Sequence, residues 1–407
     1  MKTFFKVTEL EEVLELAGQV QPVDVETCAL DQILGRVLAE PVTADTPVPP
    51  FARTTMDGYA VSAASTFGAS EANPAYLEVV GKVAMGQVPT RSVGPGEAMR
   101  IATGGMLPPG TDAVAMVEHT SVLDETTIEV YRSVAPGQHV IEAGEDLAPS
   151  DIVLAAGHRM RPQDAGVLAA LGLSTVKVYT RPTVGIVSTG DEIVAVDRDP
   201  AFGQIRDMNT HTLSDLVRQA GAVPRSYGIV SDQRERLMAV CRQAVVETDM
   251  LLVSGGSSVG VRDYTIEAFT SMDNTEIRVH GITISPGKPT ILAFCGSKPV
   301  WGLPGHVTSA MVVFSAVVRP FLDRLCGAAD KSRPPIPALL SRNLESAAGR
   351  VDFVRVRLVN HQGKTWAEPI LGKSGLIRTM VQADGLIAID MNTEGLEQGE
   401  PVAVWLF

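Results

Sequence analysis

The sequence predicts a multidomain α/β plus β protein that contains one doubly wound α/β domain. The chain has 407 residues, enough for two to four domains at roughly 150 residues each. Strand and helix patterns alternate from residue 181 to 327, as in a doubly wound sheet. Short apolar runs between Gly/Pro turns fill residues 48–140 and 333–407, which predicts an inserted β domain and a C-terminal β-barrel-like domain.

Composition and charge exclude several classes of protein. Apolar residues make up 45% and charged residues 20% of the chain, which is typical of a globular protein. The net charge of −13 argues against a nucleic-acid partner or an anionic membrane surface. The longest apolar helical run, Val307 to Val318, is too short to span a bilayer. We therefore expect a cytoplasmic protein, in which an anionic ligand would need a local basic pocket.

The cysteines carry no metal or disulfide pattern. Cys28, Cys241, Cys295 and Cys326 are far apart, with no Cys-x-x-Cys and no Cys/His ligand spacing. Free thiols in a reducing compartment are the expected state.

The first part of the chain predicts a domain that is interrupted by another. Apolar residues at helical spacing predict helices over residues 3–40 and again over 141–178. Residues 51–140 between them have a β pattern, and Pro41 to Pro50 forms a proline-rich edge. We expect a discontinuous helical domain at residues 1–47 and 141–180, with the β domain at 48–140 inserted.

The α/β domain is expected at residues 181–327, and the C-terminal β domain at 333–407. Thr183 to Ser188 is its first strand, and Asn209 and Asp232 are candidate N-caps of the helices that follow the first two strands. The remaining predicted elements are strands at 223–230, 250–254 and 291–294 and a closing helix at 307–325.

Three glycine-bearing loops follow strands of this domain, where open α/β sheets bind ligands. Backbone N–H groups of such loops can approach an anion closely. One such loop alone is usually only a turn, but three at one sheet edge favour a binding site. Its candidate residues are Thr189, Gly190, Gly255, Gly256, Ser257 and Gly305.

Charged side chains beside these loops suggest phosphate and metal chemistry. Lys288, between Pro-Gly and Pro, can meet an oxyanion as a point charge, or is an exposed turn lysine. Carboxylates beside a phosphate cradle suit Mg²⁺. Glu192 and Asp263 are the metal candidates, whereas Asp232 has the alternative of a helix cap.

Two motifs lie outside the α/β domain. Asp57 occurs in Thr-Met-Asp-Gly-Tyr-Ala, and Thr103 occurs in Thr-Gly-Gly before Leu-Pro-Pro-Gly. Taken alone, both are compatible with simple turns.

Together these motifs resemble the molybdopterin molybdenumtransferase family, MoeA, which is similar to the E domain of gephyrin. The resemblance rests on an ordered series: Thr55–Ala60, Thr103-Gly104 with Leu107–Val114, Gly144–Asp146, Ser188–Glu192, Ser254–Gly256, Pro286–Pro289 and Gly302–Gly305. It covers nearly the whole chain. It implies the four-domain order given above, in an elongated homodimer.

The resemblance also implies a reaction. Adenylylated molybdopterin and molybdate, with Mg²⁺, give molybdenum cofactor and AMP, and the molybdopterin adenylyltransferase is a partner. The glycine loops would hold the pterin phosphate and AMP. Asp57 and Thr103 would reach the site from the other subunit, and Arg355 and Ser374 would line the molybdate pocket. The implied catalytic set is Asp57, Thr103, Glu192, Asp232, Asp263 and Lys288.

Four positions depart from the family pattern, and they leave alternatives open. Ser285 stands where the family usually has a first lysine, and His306, Thr55 and Lys373 replace the usual Asn, Ala and Gly. We hypothesise that Lys373 partly replaces the lost charge, against the alternative of a solvated loop lysine. The other readings are a tungstate-preferring paralogue and a non-catalytic molybdopterin-binding scaffold. An adenylyltransferase alone is disfavoured by the additional domains.

Overall fold

The computed structural model describes residues 7–255, 261–329 and 334–407, of which 261–263 for the backbone alone. The chain forms two compact units. The larger unit comprises Met1–Glu40, Ala156–Arg161 and Thr175–Phe407, and the smaller unit comprises Pro41–Ala155 and Pro162–Ser174. The predicted boundaries of the four domains stay predictions.

The smaller unit is built on a six-stranded sheet, which confirms the predicted β character of this part of the chain. The strand Gly58–Val61 is buried along its whole length, and its Tyr59 and Val61 pack with Leu77 and Ile128 in the core. In spatial order the strands are Ala113–Met116, Gly58–Val61, Glu97–Ile101, Ala75–Lys82, Thr127–Val130 and Thr120–Val122.

Short elements complete the smaller unit. Two small antiparallel pairs join segments that are distant in sequence: Val42–Thr43 with Ile152–Leu154, and Arg53–Thr54 with Val140–Ile141. The helical elements are the 3-10 turns Ala63–Thr66 and Val117–His119 and the α-helix Pro162–Ala170.

The predicted helices at residues 3–40 and 141–178 are only partly right. The described helices there are Leu10–Glu15, Leu16–Gln19, Leu30–Gln32 and Pro162–Ala170. In addition, Val25–Ala29 and Thr175–Tyr179 form an antiparallel pair. The sequences Val-Glu-Thr-Cys-Ala and Thr-Val-Lys-Val-Tyr are rich in β-branched residues, which favour strands. Over such short runs, apolar spacing does not distinguish a helix from a strand.

The larger unit contains a six-stranded central sheet. In spatial order its strands are Val223–Val230, Thr183–Thr189, Met250–Ser254, Lys298–Leu303, Ile291–Cys295 and Thr275–His280. The first four are parallel, and the last two are antiparallel to their neighbours. The sheet is therefore mixed, with antiparallel pairing on one side. Only two residues connect the fourth and fifth strands of that order, and so short a link joins only antiparallel strands.

Helices cover both faces of the central sheet, which confirms the doubly wound fold. Ile186 packs on one face with Trp301 and Phe321, while Val187 packs on the other face with Phe269. Both faces are therefore buried, as in other sheets of this class. The helices are Asn209–Gln219, Arg234–Glu247, Val261–Thr270 and a closing helix of three consecutive segments: Val307–Val313, the π-helical Phe314–Val318, and Arg319–Leu325.

The end of the chain folds into a closed five-stranded barrel, as predicted. Around the barrel the strands are Val351–His361, Lys364–Pro369, Ile336–Leu340, Pro401–Leu406 and Gly385–Ile389, and the last pairs with the first. Ile284–Ser285 adds to the edge at Val351. The remaining elements are the pair Leu344–Glu345 with Gly395–Leu396, the pair Ile193–Val194 with Ile205–Arg206, and the helix Arg378–Val381.

Among the helices that the structure describes, none combines the length and the apolar character needed to cross a membrane.

Candidate functional site

The carboxyl ends of four parallel strands meet at one edge of the central sheet. From Thr183–Thr189 the chain crosses to the neighbour on one side, Val223–Val230, and then to the neighbour on the other side, Met250–Ser254. Such a reversal leaves a crevice between the first and third of these strands, where open α/β sheets bind ligands. Thr189, Ser254 and Leu303 end their strands at this edge, where the sequence predicts the three glycine-bearing loops to begin.

Glycines allow the backbones of these loops to come very close together. Gly190 has a φ of +146° and Gly255 a φ of +125°. A Cβ atom on Gly255 would lie 2.3 Å from the carbonyl oxygen of Thr189, a distance that no side chain tolerates. The strand ends at this edge therefore pack backbone against backbone, which only glycine permits at these positions. Gly256 and Ser257 lie outside the described residues.

A buried polar network supports the crevice from below. The hydroxyl of Ser188 donates to Asp207 Oδ1 at 3.1 Å and lies 2.9 Å from the hydroxyl of Thr210. Asp207 also accepts from the backbone N–H of Thr210 at 3.1 Å and from its hydroxyl at 2.5 Å. The network ties the first strand to the start of the helix Asn209–Gln219.

Several buried polar atoms at this edge have no hydrogen-bond partner among the described residues. They are Thr189 Oγ1, Asn209 Oδ1, Ser231 Oγ and Asp232 Oδ1. Each such atom costs about 1–3 kcal/mol when it is left without a partner. Because buried polar groups are nearly always satisfied in folded proteins, four of them at one edge mark a place where a ligand or an ion supplies the missing bonds.

Asp232 lies in a like-charged environment. Burial raises its pKa, and the charges of Asp191 and Glu192 raise it further. Its backbone N–H donates to Asp191 Oδ1 at 3.0 Å. The alternative interpretation of Asp232 as a helix cap is wrong, because Gln233 occupies the N-cap of Arg234–Glu247 and no side chain caps that helix.

These carboxylates suit a hard cation, although they do not enclose one by themselves. Within residues 7–255, 264–329 and 334–407 no three side chains of His, Cys, Asp or Glu form a ready metal site. The side chain of Asp263 lies outside the described residues. Asp232 still offers an oxygen without a partner, next to two further carboxylates. Mg²⁺ commonly uses one or two carboxylates and takes its other oxygens from phosphate and water.

Arg355 and Ser374 are brought to the start of the closing helix. The guanidinium of Arg355 donates to Thr379 Oγ1 and to the carbonyl of Gly372, each at 2.8 Å, and partial burial lowers its pKa. The carbonyl of Ser374 accepts from the backbone N–H of Thr308 at 3.2 Å and from its hydroxyl at 2.6 Å. The barrel loop 372–374 is thus anchored directly beside the loop that contains Gly305.

Lys288 stands on a tight turn that packs against the same helix. A Cβ atom on Gly287 would lie 2.4 Å from Cγ2 of Val313. The carbonyl of Lys288 accepts from the N–H of Ile282 at 3.0 Å, while its side chain is exposed. The backbone is fixed and the ammonium points to solvent, which fits the predicted point charge and also the alternative of a surface lysine.

Asp57 and Thr103 form a pair in the smaller unit. Asp57 Oδ1 accepts from the backbone N–H of Thr103 at 2.6 Å and from its hydroxyl at 2.8 Å. These bonds lower the pKa of Asp57, and the backbone bond contributes most. The two motifs, 46 residues apart in sequence, therefore form a single exposed feature.

One residue of the edge was missed by sequence reasoning. Asn209 was expected to cap the helix that begins there, but Met208 holds the N-cap position without a side-chain cap bond. Instead, Asn209 Nδ2 donates to the carbonyl of Gly305 at 2.9 Å. The sequence does not distinguish these two roles, because an Asn at the start of a helix can either cap that helix or donate to a neighbouring loop.

Comparison with known proteins agrees with this geometry. Three family models match in order: the MoeA N-terminal region (domain I and II) at residues 8–172, a probable molybdopterin binding domain at 185–324, and the MoeA C-terminal region (domain IV) at 337–407.

Individual relatives are similar over nearly the whole chain. A putative molybdopterin biosynthesis protein of Methanocaldococcus jannaschii is 37% identical, covering 98% of this chain and 95% of that protein. A molybdopterin molybdenumtransferase of Bacillus subtilis is 31% identical, covering 94% and 90%. The crystal structure of a molybdopterin biosynthesis MoeA protein from Pyrococcus horikoshii OT3 is similar with a TM-score of 0.86 and 31% identity, covering 99% of this chain and 100% of that chain.

Proposed function

Since this chain belongs to the MoeA family, we infer that it is a molybdopterin molybdenumtransferase, a transferase of molybdenum cofactor biosynthesis. It uses adenylylated molybdopterin and molybdate to form molybdenum cofactor and release AMP. Curated relatives that cover most of the chain are named as this transferase. Those names do not favour the scaffold or the tungstate paralogue.

The observation that carries the assignment to this edge of the sheet is the group of buried polar atoms without partners. They lie at the strand ends where Gly190 and Gly255 bring the backbones close together. A phosphate-bearing ligand held by loop N–H groups is the chemistry that such an edge supports. Thr189, Gly190, Gly255, Gly256, Ser257 and Gly305 are the substrate-binding residues of the proposal.

We propose that Mg²⁺ assists at this edge. Glu192 and Asp263 would hold it, with Asp232 beside them. The support is the raised pKa of Asp232, because a carboxyl surrounded by like charges gains from a cation. Bound there, the ion would neutralise the phosphoanhydride and favour its cleavage.

The remaining proposed roles divide between binding and positioning. The oxyanion would be bound by Arg355, Ser374 and Lys288. Arg355 would use the guanidinium N–H groups that do not donate to Thr379 or Gly372. Asp57 and Thr103 complete the proposed catalytic set, as one hydrogen-bonded pair. Direct attack by an oxyanion or water oxygen on the anhydride requires no nucleophile from the protein.

The proposal includes an assembly and a place in the cell. We propose a homodimer in the cytoplasm, with Asp57 and Thr103 supplied by the other subunit and the molybdopterin adenylyltransferase as a partner. Neither nucleic acid nor a membrane is expected as a partner, and the net charge of −13 supports this.

AMP release from adenylylated molybdopterin tests the function. The purified protein with Mg²⁺ should release AMP in the presence of molybdate, more slowly with tungstate, and hardly at all without an oxyanion. Asp232→Asn should lose most of this activity. Asp215→Asn removes an exposed carboxylate that, among the described residues, pairs only with Arg218, and it should leave the activity unchanged. Tight binding of the substrate without release would establish the scaffold instead.

A further inference from the structure

Asn209 is held in one orientation by a neighbour that can only accept. Its Nδ2 lies 2.9 Å from the carbonyl oxygen of Gly305. A carbonyl oxygen has no proton to donate, so the amide nitrogen must face Gly305 and Oδ1 must face away. Oδ1 is therefore presented in a fixed direction.

That oxygen is buried and has no hydrogen-bond partner in the described part of the chain. Asn209 is only 9% exposed, and its Oδ1 is among the unsatisfied buried atoms. A residue that served only to fasten Gly305 would need a donor and no acceptor. The acceptor destabilises the free protein unless something else satisfies it.

Asn209 is also next to the glycine-bearing loops of this edge. The side chains of Ser188 and Thr210 lie 2.9 Å apart, so the strand that ends at Thr189 and the helix that begins at Asn209 meet at the same edge. Thr189 is 3% exposed and has a second oxygen without a partner, Oγ1. Two polar side chains, each more than nine-tenths buried, thus stand without partners beside one crevice.

The chemistry of Oδ1 restricts what it can bind. An amide oxygen accepts hydrogen bonds and repels an anion, so it does not contact a phosphate or molybdate oxygen. Apart from a cation, it binds only a hydrogen-bond donor, and on the substrate the available donors are neutral N–H and O–H groups. We propose that Asn209 is a substrate-binding residue, an inference that rests on the proposed function. Its Oδ1 accepts a hydrogen bond from an N–H or O–H group of the bound substrate, outside the phosphates.

Two parts of the substrate carry such donors: the adenosine and the pterin. Both provide the same neutral donor chemistry, so ligand fragments must separate them. AMP and 6-hydroxymethylpterin serve as the two probes. For AMP, inosine 5′-monophosphate replaces the ring amino group, and 2′-deoxy-AMP and 3′-deoxy-AMP each remove one sugar hydroxyl.

Calorimetric titration of the full-length protein should show that Asn209→Ala binds one of the two probes about five- to tenfold more weakly, as expected for one neutral hydrogen bond. If that probe is AMP, one of its analogues should bind the unmodified protein more weakly than AMP does, by a similar factor. Asn209→Ala should bind that analogue and AMP equally well, because the hydrogen bond is already absent. The control is Thr212→Val on the same helix. Within the part of the chain that the structure describes, the Thr212 hydroxyl donates only to the carbonyls of Met208 and Asn209. This variant should bind both probes as the unmodified protein does.

The outcomes separate the inference from the proposed function. If both probes bind the unmodified protein and Asn209→Ala binds them equally well, Asn209 only fastens the Gly305 loop and the inference is wrong. If Asn209→Ala does not fold, the same titrations with the AMP analogues and the pterin are made on Asn209→Ser, whose side chain is shorter. If neither probe binds the unmodified protein, the proposed function fails at this edge and the inference falls with it.

Discussion

Asp57 Oδ1 accepts two hydrogen bonds from a single residue, Thr103, at 2.6 Å from its N–H and 2.8 Å from its hydroxyl. The carboxylate is exposed, so its position is set by these bonds and by the backbone of the strand that follows. A ligand that meets Asp57 therefore meets a fixed negative charge whose second oxygen is available.

The first prediction concerns the pKa of Asp57. Because hydrogen bonds to the ionised form lower the pKa below the ordinary 3.8, NMR titration should place its midpoint below that value. Thr103→Val removes only the hydroxyl bond, so the pKa should rise partway. The stabilisation by this pair is present above the unfolded pKa and is lost as pH falls through the folded pKa. An unchanged midpoint in Thr103→Val would show that the hydroxyl contributes nothing.

A second prediction concerns Asp232, whose pKa is raised by burial first and then by Asp191 and Glu192. Glu192→Gln should lower that pKa without returning it to the ordinary value, because burial remains. Mg²⁺ should lower it as well. Glu235→Gln, which changes a carboxyl on the next helix outside this group, serves as the control. A midpoint that does not respond to Mg²⁺ would count against a cation at this edge.

The same shift has a consequence for stability. A raised folded pKa favours the fold at low pH, and this contribution is lost as pH rises through the folded pKa. At neutral pH ionised Asp232 therefore destabilises the free protein, and Asp232→Asn should raise the Tm while it lowers AMP release. A lower Tm at neutral pH would mean that its oxygen has a partner in solution.

Thr189 and Thr290 provide a matched pair for the cost of an unsatisfied hydroxyl. Thr189 Oγ1 has no partner in the described ranges, whereas Thr290 Oγ1 donates to the carbonyl of Gly287 at 2.6 Å. Thr189→Val should stabilise the free protein by ~1 kcal/mol and weaken substrate binding, since a buried polar group is removed. Thr290→Val should destabilise it by a similar amount. Chemical denaturation measures both, and destabilisation by Thr189→Val would contradict the interpretation.

Lys373 is the subject of a fourth prediction. It stands between Gly372, held by Arg355, and Ser374, held by Thr308, and within the described residues its ammonium has no ion-pair partner. If it supplies the charge that Ser285 lacks, Lys373→Ala should raise the molybdate concentration needed for half-maximal AMP release about tenfold. Lys364→Ala, at a distant hairpin of the same barrel, should have no effect. Equal behaviour of the two variants would leave Lys373 as a solvated lysine.

Gly58 should prove essential for the smaller unit. A Cβ atom there would lie 2.0 Å from the carbonyl oxygen of Ala115 on the paired strand. Gly58→Ala should destabilise the unit by at least ~2 kcal/mol, because backbone must move. Gly166→Ala, in an open helical position of the same unit, should be neutral or stabilising by up to ~1 kcal/mol. Thermal unfolding compares the two.

Sequence reasoning succeeded where a pattern is local and strong. Met250–Ser254 is recognisable as a continuous apolar run, and the long closing helix after His306 is recognisable by the helical spacing of its apolar residues. It failed at Val25–Ala29, where five residues carry too little periodicity, and at the caps. Asp232 and Asn209 both stand near helix starts, yet their side chains are used elsewhere, in a like-charged group and in a bond to Gly305.

The sequence by itself determined the family, the order of the folding segments and the residue types at the sheet edge, because each of these depends on neighbours in the chain and on motif order. Tertiary structure alone decided which atoms are left without partners. Whether Thr189 Oγ1 or Asn209 Oδ1 finds a hydrogen bond depends on groups that lie tens of residues away, such as Gly305. Burial removes the water that would otherwise satisfy them, and burial is a property of the packed fold rather than of the chain.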